Sequence, residues 1–338
     1  MRYKGASIII CCHNSSSVIE ETLKHIAKQN TGEISCEIVL IDNASSDNTA
    51  EVAKATWFKT GNDSIKFKLA YEQTAGLIFA RKKGVYEAKY EYLIFCDDDN
   101  WLDENYLQKT CELFKSNPQV AIMGGFGIAE FEDVRMKPIW FDDFYHGYAV
   151  GPQAAQEQIL HRVYGAGMAV RKSVLEKIME EPVFLSGRKK NLLSSGEDGE
   201  ICFRAMIAGY KILYSPELKF KHFLTKQRLS WDYLKKLHVG LSKANVVMDL
   251  YDRAINSKSR ELPPFYWLKK ALYYWGIYLK YWPKHYLSYR KGEGTIEEIH
   301  HITWKNIALN YLEYNFKTIA IYRKIMALNH NSAKFRNG

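Results

Sequence analysis

No window of this 338-residue chain approaches 18 uninterrupted apolar residues, so no helix is expected to cross a bilayer. Nor is a secretory leader expected. Ile8-Ile9-Ile10-Cys11-Cys12 is too short for an apolar leader core and gives way at once to His13-Asn14. The six cysteines (11, 12, 36, 96, 111 and 202) contain no CxxC pair, which argues against a zinc or disulfide framework. Four of them sit in apolar runs and read as buried thiols of a reducing cytosol. Signs of disorder are missing too: 47% of residues are hydrophobic and 25% charged. Acid is scarce only at one end. From Trp231 onward there are 18 Lys and Arg against 8 Asp and Glu, whereas residues 1–230 hold 29 against 30. A basic tract of this kind suits a polyanion or an anionic membrane surface. No nucleic-acid recognition motif accompanies it.

What the chain does have is a run of acid at the end of an apolar strand. Tyr92-Leu93-Ile94-Phe95-Cys96 reads as a strand buried on both faces, and Asp97-Asp98-Asp99-Asn100 follows directly. Three adjacent carboxylates repel one another, so a positive group is expected there. In extended chain Asp97 and Asp99 share a face. Two carboxylates so placed make a hard-oxygen site for Mg²⁺ or Mn²⁺, which bridge to phosphate. The alternative is a solvated acidic turn before a helix near Asp103.

The flanking sequence alternates strands and helices. Residues 6–12, 37–41 and 65–71 read as strands, and residues 17–30 and 75–88 as helices around a second helix after Thr49. Such alternation predicts an α/β fold with a parallel or mostly parallel sheet and helices on both faces. Ligands of such sheets bind beyond the strands' carboxyl ends. Asn14, Asp42 and Asp97–Asp99 all fall there. Asp42-Asn43-Ala44-Ser45-Ser46-Asp47 is also good turn chemistry, so capping is the alternative for Asp42.

Residues 103–116 read as a helix and 120–124 as a short strand. Between 125 and 162 the periodicity dissolves around Trp140, Phe141, Phe144, Tyr145 and Tyr148, aromatics that either wall a sugar site or pack the loop. Tyr164 to Arg171 reads as a glycine-bearing strand. Gly196-Glu197-Asp198 opens a helix, where acids also suit the helix dipole. His222 follows a strand at Lys219-Phe220-Lys221. The last third reads as helical: residues 230–252, then an aromatic and lysine-rich helix over 265–281 with Trp282-Pro283 after it, then one helix over 297–328. Aromatics beside lysine suit a membrane interface, and the alternative is a hairpin packed on the core.

Four motifs in order, Ser7 to Asn14, Glu37 to Thr49, Ala75 to Gly84 and Asp97-Asp98-Asp99, together resemble glycosyltransferase family 2, inverting enzymes of the GT-A fold. The resemblance covers residues 5–225. It implies that Asp42 accepts a hydrogen bond from the base N–H of uracil or thymine. It places Asp97 near the ribose and Asp99 on a metal between the diphosphate oxygens. Asn14, Asp98 and Arg81 complete the implied nucleotide site; an exposed helical arginine is the alternative for Arg81. Thr74-Ala75-Gly76 departs from the Asn-before-Gly of the family. Asp198 matches the family's catalytic base, with Glu197 orienting it or meeting the acceptor. His222 resembles a third metal ligand of some relatives or is an ordinary strand residue. Gln227-Arg228-Leu229-Ser230-Trp231 is similar to a signature of processive members at a different spacing, and Arg228 is a candidate diphosphate contact.

The expectation is therefore a GT-A Rossmann-like mixed sheet over 1–228 with a basic, aromatic, helical region over 229–338. It would transfer a hexose from a nucleotide-sugar, a UDP-sugar by preference, to a glycan or polyprenyl-diphosphate-linked acceptor, using Mn²⁺ or Mg²⁺. The setting is bacterial surface polysaccharide synthesis in the cytoplasm, with attachment to the inner face of the membrane. Two other readings were weighed. A sugar-phosphate nucleotidylyltransferase needs a Gly-rich, basic loop after its first strand, where this chain has His13-Asn14-Ser15-Ser16-Ser17. A non-catalytic nucleic-acid binder rests only on the pI of about 9.0. Acceptor and donor specificity is expected in residues 125–162 and 185–195.

Overall fold

A computed structural model describes residues 3–185, 196–257, 259–289 and 294–336. Its first part is the expected alternation: β1 (Tyr3–Cys12), α1 (Ile19–Ala27), β2 (Cys36–Asn43), α2 (Thr49–Thr60), β3 (Ile65–Glu72), α3 (Leu77–Glu87) and β4 (Tyr90–Asp97). Then come β5 (Asn100–Leu102), α4 (Tyr106–Ser116), β6 (Val120–Phe131), α5 (Phe141–Phe144), β7 (Gln158–Leu160), β8 (Ala169–Arg171), α6 (Lys172–Ile178), α7 (Glu197–Ile207) and β9 (Lys211–Leu224). Four helices follow: α8 (Trp231–Asn256), α9 (Tyr266–Tyr289), α10 (Ile296–Tyr314) and α11 (Lys317–Arg336).

Among the described residues the strands form one mixed sheet in the order β3-β2-β1-β4-β8-β6-β9-β5, with β7 on β9. β1, β2, β3 and β4 are parallel, because each is joined to the next by a helix that must cross the sheet. Every residue of β2 is buried, as an apolar strand covered on both faces requires. The β4–β8, β8–β6, β9–β5 and β9–β7 pairs are antiparallel. The chain divides into two compact units. The first comprises Met1–Glu130, Ala149–Pro182 and Tyr210–Leu224, and the second Phe131–Tyr148, Val183–Gly209 and Thr225–Gly338. Ile8, Ile10, Ile38, Leu40 and Ile94 lie in the core of the first. Val247, Leu250, Tyr251, Tyr311 and Ile325 lie in that of the second.

Several boundaries differ from the sequence reading for identifiable reasons. β6 runs on to Phe131 rather than ending near residue 124. Its glycines are strand residues at a close approach: a Cβ on Gly125 would lie 1.9 Å from the Leu218 carbonyl oxygen. The strand expected from Tyr164 is confined to Ala169–Arg171, because Gly165 to Met168 is a turn closed by Met168 N–H on the Gly165 carbonyl (3.2 Å). α9 continues through Pro283. The expected helix over 297–328 is two helices, broken at Asn315 in a positive-φ conformation (φ 32°). Residues 186–195, most of the expected specificity loop 185–195, lie outside the described residues. No described helix is long and apolar enough to cross a membrane.

Candidate active site

Parallel register brings the separate motifs to one level. On β1, Cys12 is the Cα partner of Asp42 and Cys11 the partner of Asp97. The carboxylates ending β2 and β4 therefore flank the end of β1, within the first unit. Burial pushes the Cys11 thiol up to about 12; Arg81 partly offsets this, while Asp97 and Asp98 add to it. Cys11 is thus an inert thiol, outside any disulfide.

The loop after β1 is fastened by its own polar side chains. Ser15 Oγ donates to an Asp98 carboxylate oxygen, and Ser15 N–H donates to Thr49 Oγ1 at 2.8 Å. Thr22 Oγ1 donates to the Asp98 carbonyl at 2.6 Å. Asn14 takes a positive φ of 55°, and its side-chain oxygen accepts from Ser46 N–H at 2.8 Å. Asn14 thereby holds the β1 and β2 loops together. Asp47 does similar work. Desolvation opposes its ionisation, but hydrogen bonds from Thr49 and Ser16 outweigh that and hold its carboxyl at about 2.

Asp42 is buried, and its Oδ1 accepts from Ser45 N–H at 3.2 Å. Arg81 is not the exposed helical arginine of the alternative reading. It is 6% exposed, with its guanidinium 5.4 Å above the Phe95 ring of β4. Asp99 sits in the turn between β4 and β5. Because β5 pairs with β9, Asn100 faces His222 in register, and Phe223 N–H donates to the Asp99 carbonyl at 2.9 Å. That pairing puts His222 Nε2 3.3 Å from Asp99 Oδ1. His222 lies inside β9, which extends past the expected strand to Leu224.

Asn43 was quoted in the motif but given no role in the sequence reading, and the structure gives it one. Its side-chain nitrogen donates to the Glu72 and Thr74 carbonyls (3.1 and 2.7 Å), and its oxygen accepts from Gly76 N–H (2.8 Å). One buried amide thus shapes the 72–76 loop that leads into α3 and Arg81. The available signal was an Asn beside Asp at a strand end, where amides commonly tie loops. Asn43→Ala should lower stability by about 1–3 kcal/mol, since the Glu72 and Thr74 carbonyls and the Gly76 N–H all lose a partner. Urea unfolding checks this, and an unchanged midpoint would deny Asn43 the role.

Glu197 and Asp198 belong to the second unit, in the first turn of α7. Glu197 is buried and Asp198 half-buried. Gly196 precedes them with φ +114°, a conformation side chains rarely adopt, and a Cβ there would meet Ala244 at 2.6 Å. The helix is anchored by Glu200, one turn on. Its carboxylate accepts from Phe184 and Leu185 N–H (2.9 and 2.8 Å), from Tyr251 OH (3.0 Å) and from Arg204 (3.0 Å). Burial raises the Glu200 pKa, with Arg204 and these hydrogen bonds opposing the rise. Arg228 lies in a short turn whose carbonyl accepts from Tyr148 OH at 3.0 Å. The aromatic segment packs instead of forming an open wall: Phe141, Phe144 and Tyr148 are buried, and Trp140 meets Trp231 edge-on at 5.4 Å.

Known proteins are similar to this chain in sequence and in fold. A poly-beta-1,6-N-acetyl-D-glucosamine synthase of Staphylococcus epidermidis is 33% identical over 122 residues, 36% of this chain and 28% of that protein. The alignment thus spans little more than a quarter of that relative. Among solved structures, the mannosyltransferase PcManGT from Pyrobaculum calidifontis, in complex with GDP-Man and Mn²⁺, has a TM-score of 0.59 at 16% identity. That match covers 98% of this chain and 86% of the other. S. aureus TarS 1–349 with UDP-GlcNAc has a TM-score of 0.50 at 12% identity, over 92% and 93% of the two chains. At these identities the structures speak for the GT-A fold. The family is shown by the match of residues 7–179, more than half the chain, to the model of glycosyl transferase family 2: the chain is a glycosyltransferase of that family.

Proposed function

We propose that this enzyme moves a hexose from a nucleoside diphosphate, a UDP-sugar by preference, to a hydroxyl of a glycan or polyprenyl-diphosphate-linked acceptor, with inversion, in surface polysaccharide synthesis. The observation that carries the reading is the placement of Asp42 and Asp97 beside successive residues, Cys12 and Cys11, at the carboxyl end of β1, together with the Asp99–His222 pair. In this reading residues 1–228 form the catalytic domain and 229–338 an appendage, and the enzyme works at the cytoplasmic face. The similarity to a synthase of poly-N-acetylglucosamine supports the polymer class. The His13 to Ser17 loop has no glycine, arginine or lysine, which speaks against nucleotidyl transfer.

Asp42 would use its second oxygen for the base N–H, and Asp97 would meet the ribose. Asn14 and Asp98 would act by holding the loops that bound the nucleotide. Asp99 offers a carboxylate that would suit Mn²⁺ or Mg²⁺, and the His222 imidazole would favour Mn²⁺ over Mg²⁺, which takes oxygen ligands. No described group of three such side chains is assembled to hold a metal, so diphosphate oxygens and water would complete the shell. The bound ion would offset charge on the departing diphosphate. Arg81 and Arg228 would add fixed positive charge to the same end. Asp198 would take the acceptor proton as the hydroxyl attacks the anomeric carbon opposite the leaving group. Buried Glu197 would orient it.

A thermal-shift screen of UDP, GDP and their sugars, with and without Mn²⁺, tests the donor class. A ligand at about 100 times its Kd adds about 2.7 kcal/mol to apparent stability. UDP with Mn²⁺ should raise the melting temperature most. A larger shift with guanosine nucleotides would replace the donor, and no shift with any nucleotide would overturn the reading.

A further inference from the structure

α9 is a helix with two sides of the wrong kind for water. One side packs in the second unit. Tyr266, Ala271 and Tyr274 join the core, Tyr278 stacks on His301 at 3.9 Å, and Tyr281 packs on Trp304 at 5.2 Å. The other side should then be polar. Instead positions 269, 272, 273, 276, 279, 280, 283, 286 and 287, which recur at helical spacing, are exposed and mostly apolar, and 281, 282 and 284 are exposed as well. Leu272, Leu279 and Leu287 are each more than 60% exposed, and Tyr273, Trp282 and Tyr286 stand in solvent beside them. An apolar stripe several turns long marks an interaction surface.

Charge selects the occupant. The 24 residues of α9 contain four lysines and no Asp or Glu. Lys270 is held by Asp249 at 2.6 Å and Lys284 by Glu297 at 3.0 Å. Lys269 and Lys280 are exposed along the stripe itself. A second copy of the chain would set lysine against lysine. A surface negative outside and hydrocarbon just beneath satisfies both features, and Tyr and Trp favour that boundary. We propose that this face of α9 docks on an anionic lipid bilayer. The helix lies in the plane of the interface, its leucines enter the acyl boundary, and Lys269 and Lys280 sit among lipid phosphates. The proposal does not depend on the donor reading: a protein that failed every nucleotide test would still dock.

Sedimentation of the full-length protein with vesicles is the test. Vesicles of phosphatidylcholine with about 30% phosphatidylglycerol should bind it at about 50 mM salt, and binding should weaken at about 500 mM as screening shortens. Pure phosphatidylcholine should bind at least about tenfold less, since each lysine near an anionic surface contributes roughly fivefold. The variant Leu272→Ser/Leu279→Ser/Leu287→Ser should lose at least about tenfold in partitioning to either vesicle, because each leucine removes several buried methylenes. Lys269→Gln/Lys280→Gln, which leaves the apolar stripe intact, should lose about tenfold or more on anionic vesicles only. Melting temperatures serve as the folding control, and the lysine pair decides the matter if the leucine variant does not fold. Absence of binding to anionic vesicles at low salt would overturn the proposal. So would undiminished binding by the lysine pair, or a dimer seen by light scattering that the leucine variant dissociates without any vesicle binding.

Discussion

Asp99→Ala is expected to abolish Mn²⁺-dependent affinity for UDP while leaving a folded protein. The side chain stands at the β4–β5 turn with 17% exposure, facing His222 Nε2 at 3.3 Å and accepting from Asn100 Nδ2 at 3.1 Å. Its removal costs the fold the Asn100 hydrogen bond and the His222 contact, net about 0.5–1.5 kcal/mol each. The cost to the ligand is far larger. Even groups that only support a metal ligand contribute about 10–100-fold to metal affinity, so loss of a ligand should exceed about 100-fold. Calorimetry of UDP with and without Mn²⁺ separates the two. Metal-free affinity should hardly move, because Asp42 and Asp97 are untouched. Unchanged metal-dependent affinity would remove Asp99 from the site and leave the carboxylate triplet as a loop device, the role Ser15 already gives Asp98.

That contrast shows which parts of the site were legible. Asp42 and Asp97 could be read in advance because parallel strands buried on both faces announce themselves as apolar runs, and their carboxyl ends must share an edge of the sheet. The Asp99–His222 pair could only be suggested. It depends on β5, three residues long, pairing with a strand 120 residues later, and no local pattern encodes that register. Arg81 looked like one of three consecutive basic residues on a helix. Its burial follows from packing on β4, which composition does not reveal. Asn43 and Ser15 were hidden differently. Both are ordinary turn residues by type, and their partners lie across loops that the sequence does not align. In the helical third, the length of α9 was underestimated because Pro283 suggests a stop. A proline costs the helix one bond to the carbonyl four residues back, here that of Leu279, an exposed residue. The break at Asn315 was missed because the apolar positions continue across it.

Asp198→Asn should reduce turnover by about 10²–10⁴-fold while donor affinity stays within a small factor. A general base acts as the acceptor proton moves, so its loss appears in the transition state and not in ground-state donor binding. Asparagine keeps the size of the side chain and its place in the first turn of α7. The helix loses one favourable charge at its N-terminus, about 0.3–1 kcal/mol. The buried anchor one turn on, Glu200 with Arg204, Tyr251 and the Phe184 and Leu185 N–H groups, is unaffected, so the helix should stay in place. The comparison with Asp99→Ala is the informative one: that variant should lose donor binding together with rate, and Asp198→Asn rate alone. Equal loss of donor affinity in both would make Asp198 a binding residue. Near-normal turnover with the true acceptor would move the base elsewhere, with Glu197 the next candidate. The anomeric configuration of the product, read by NMR, is an independent check. One displacement assisted by one base inverts the anomeric carbon, so a retained configuration would refute this mechanism even if the aspartate proved essential.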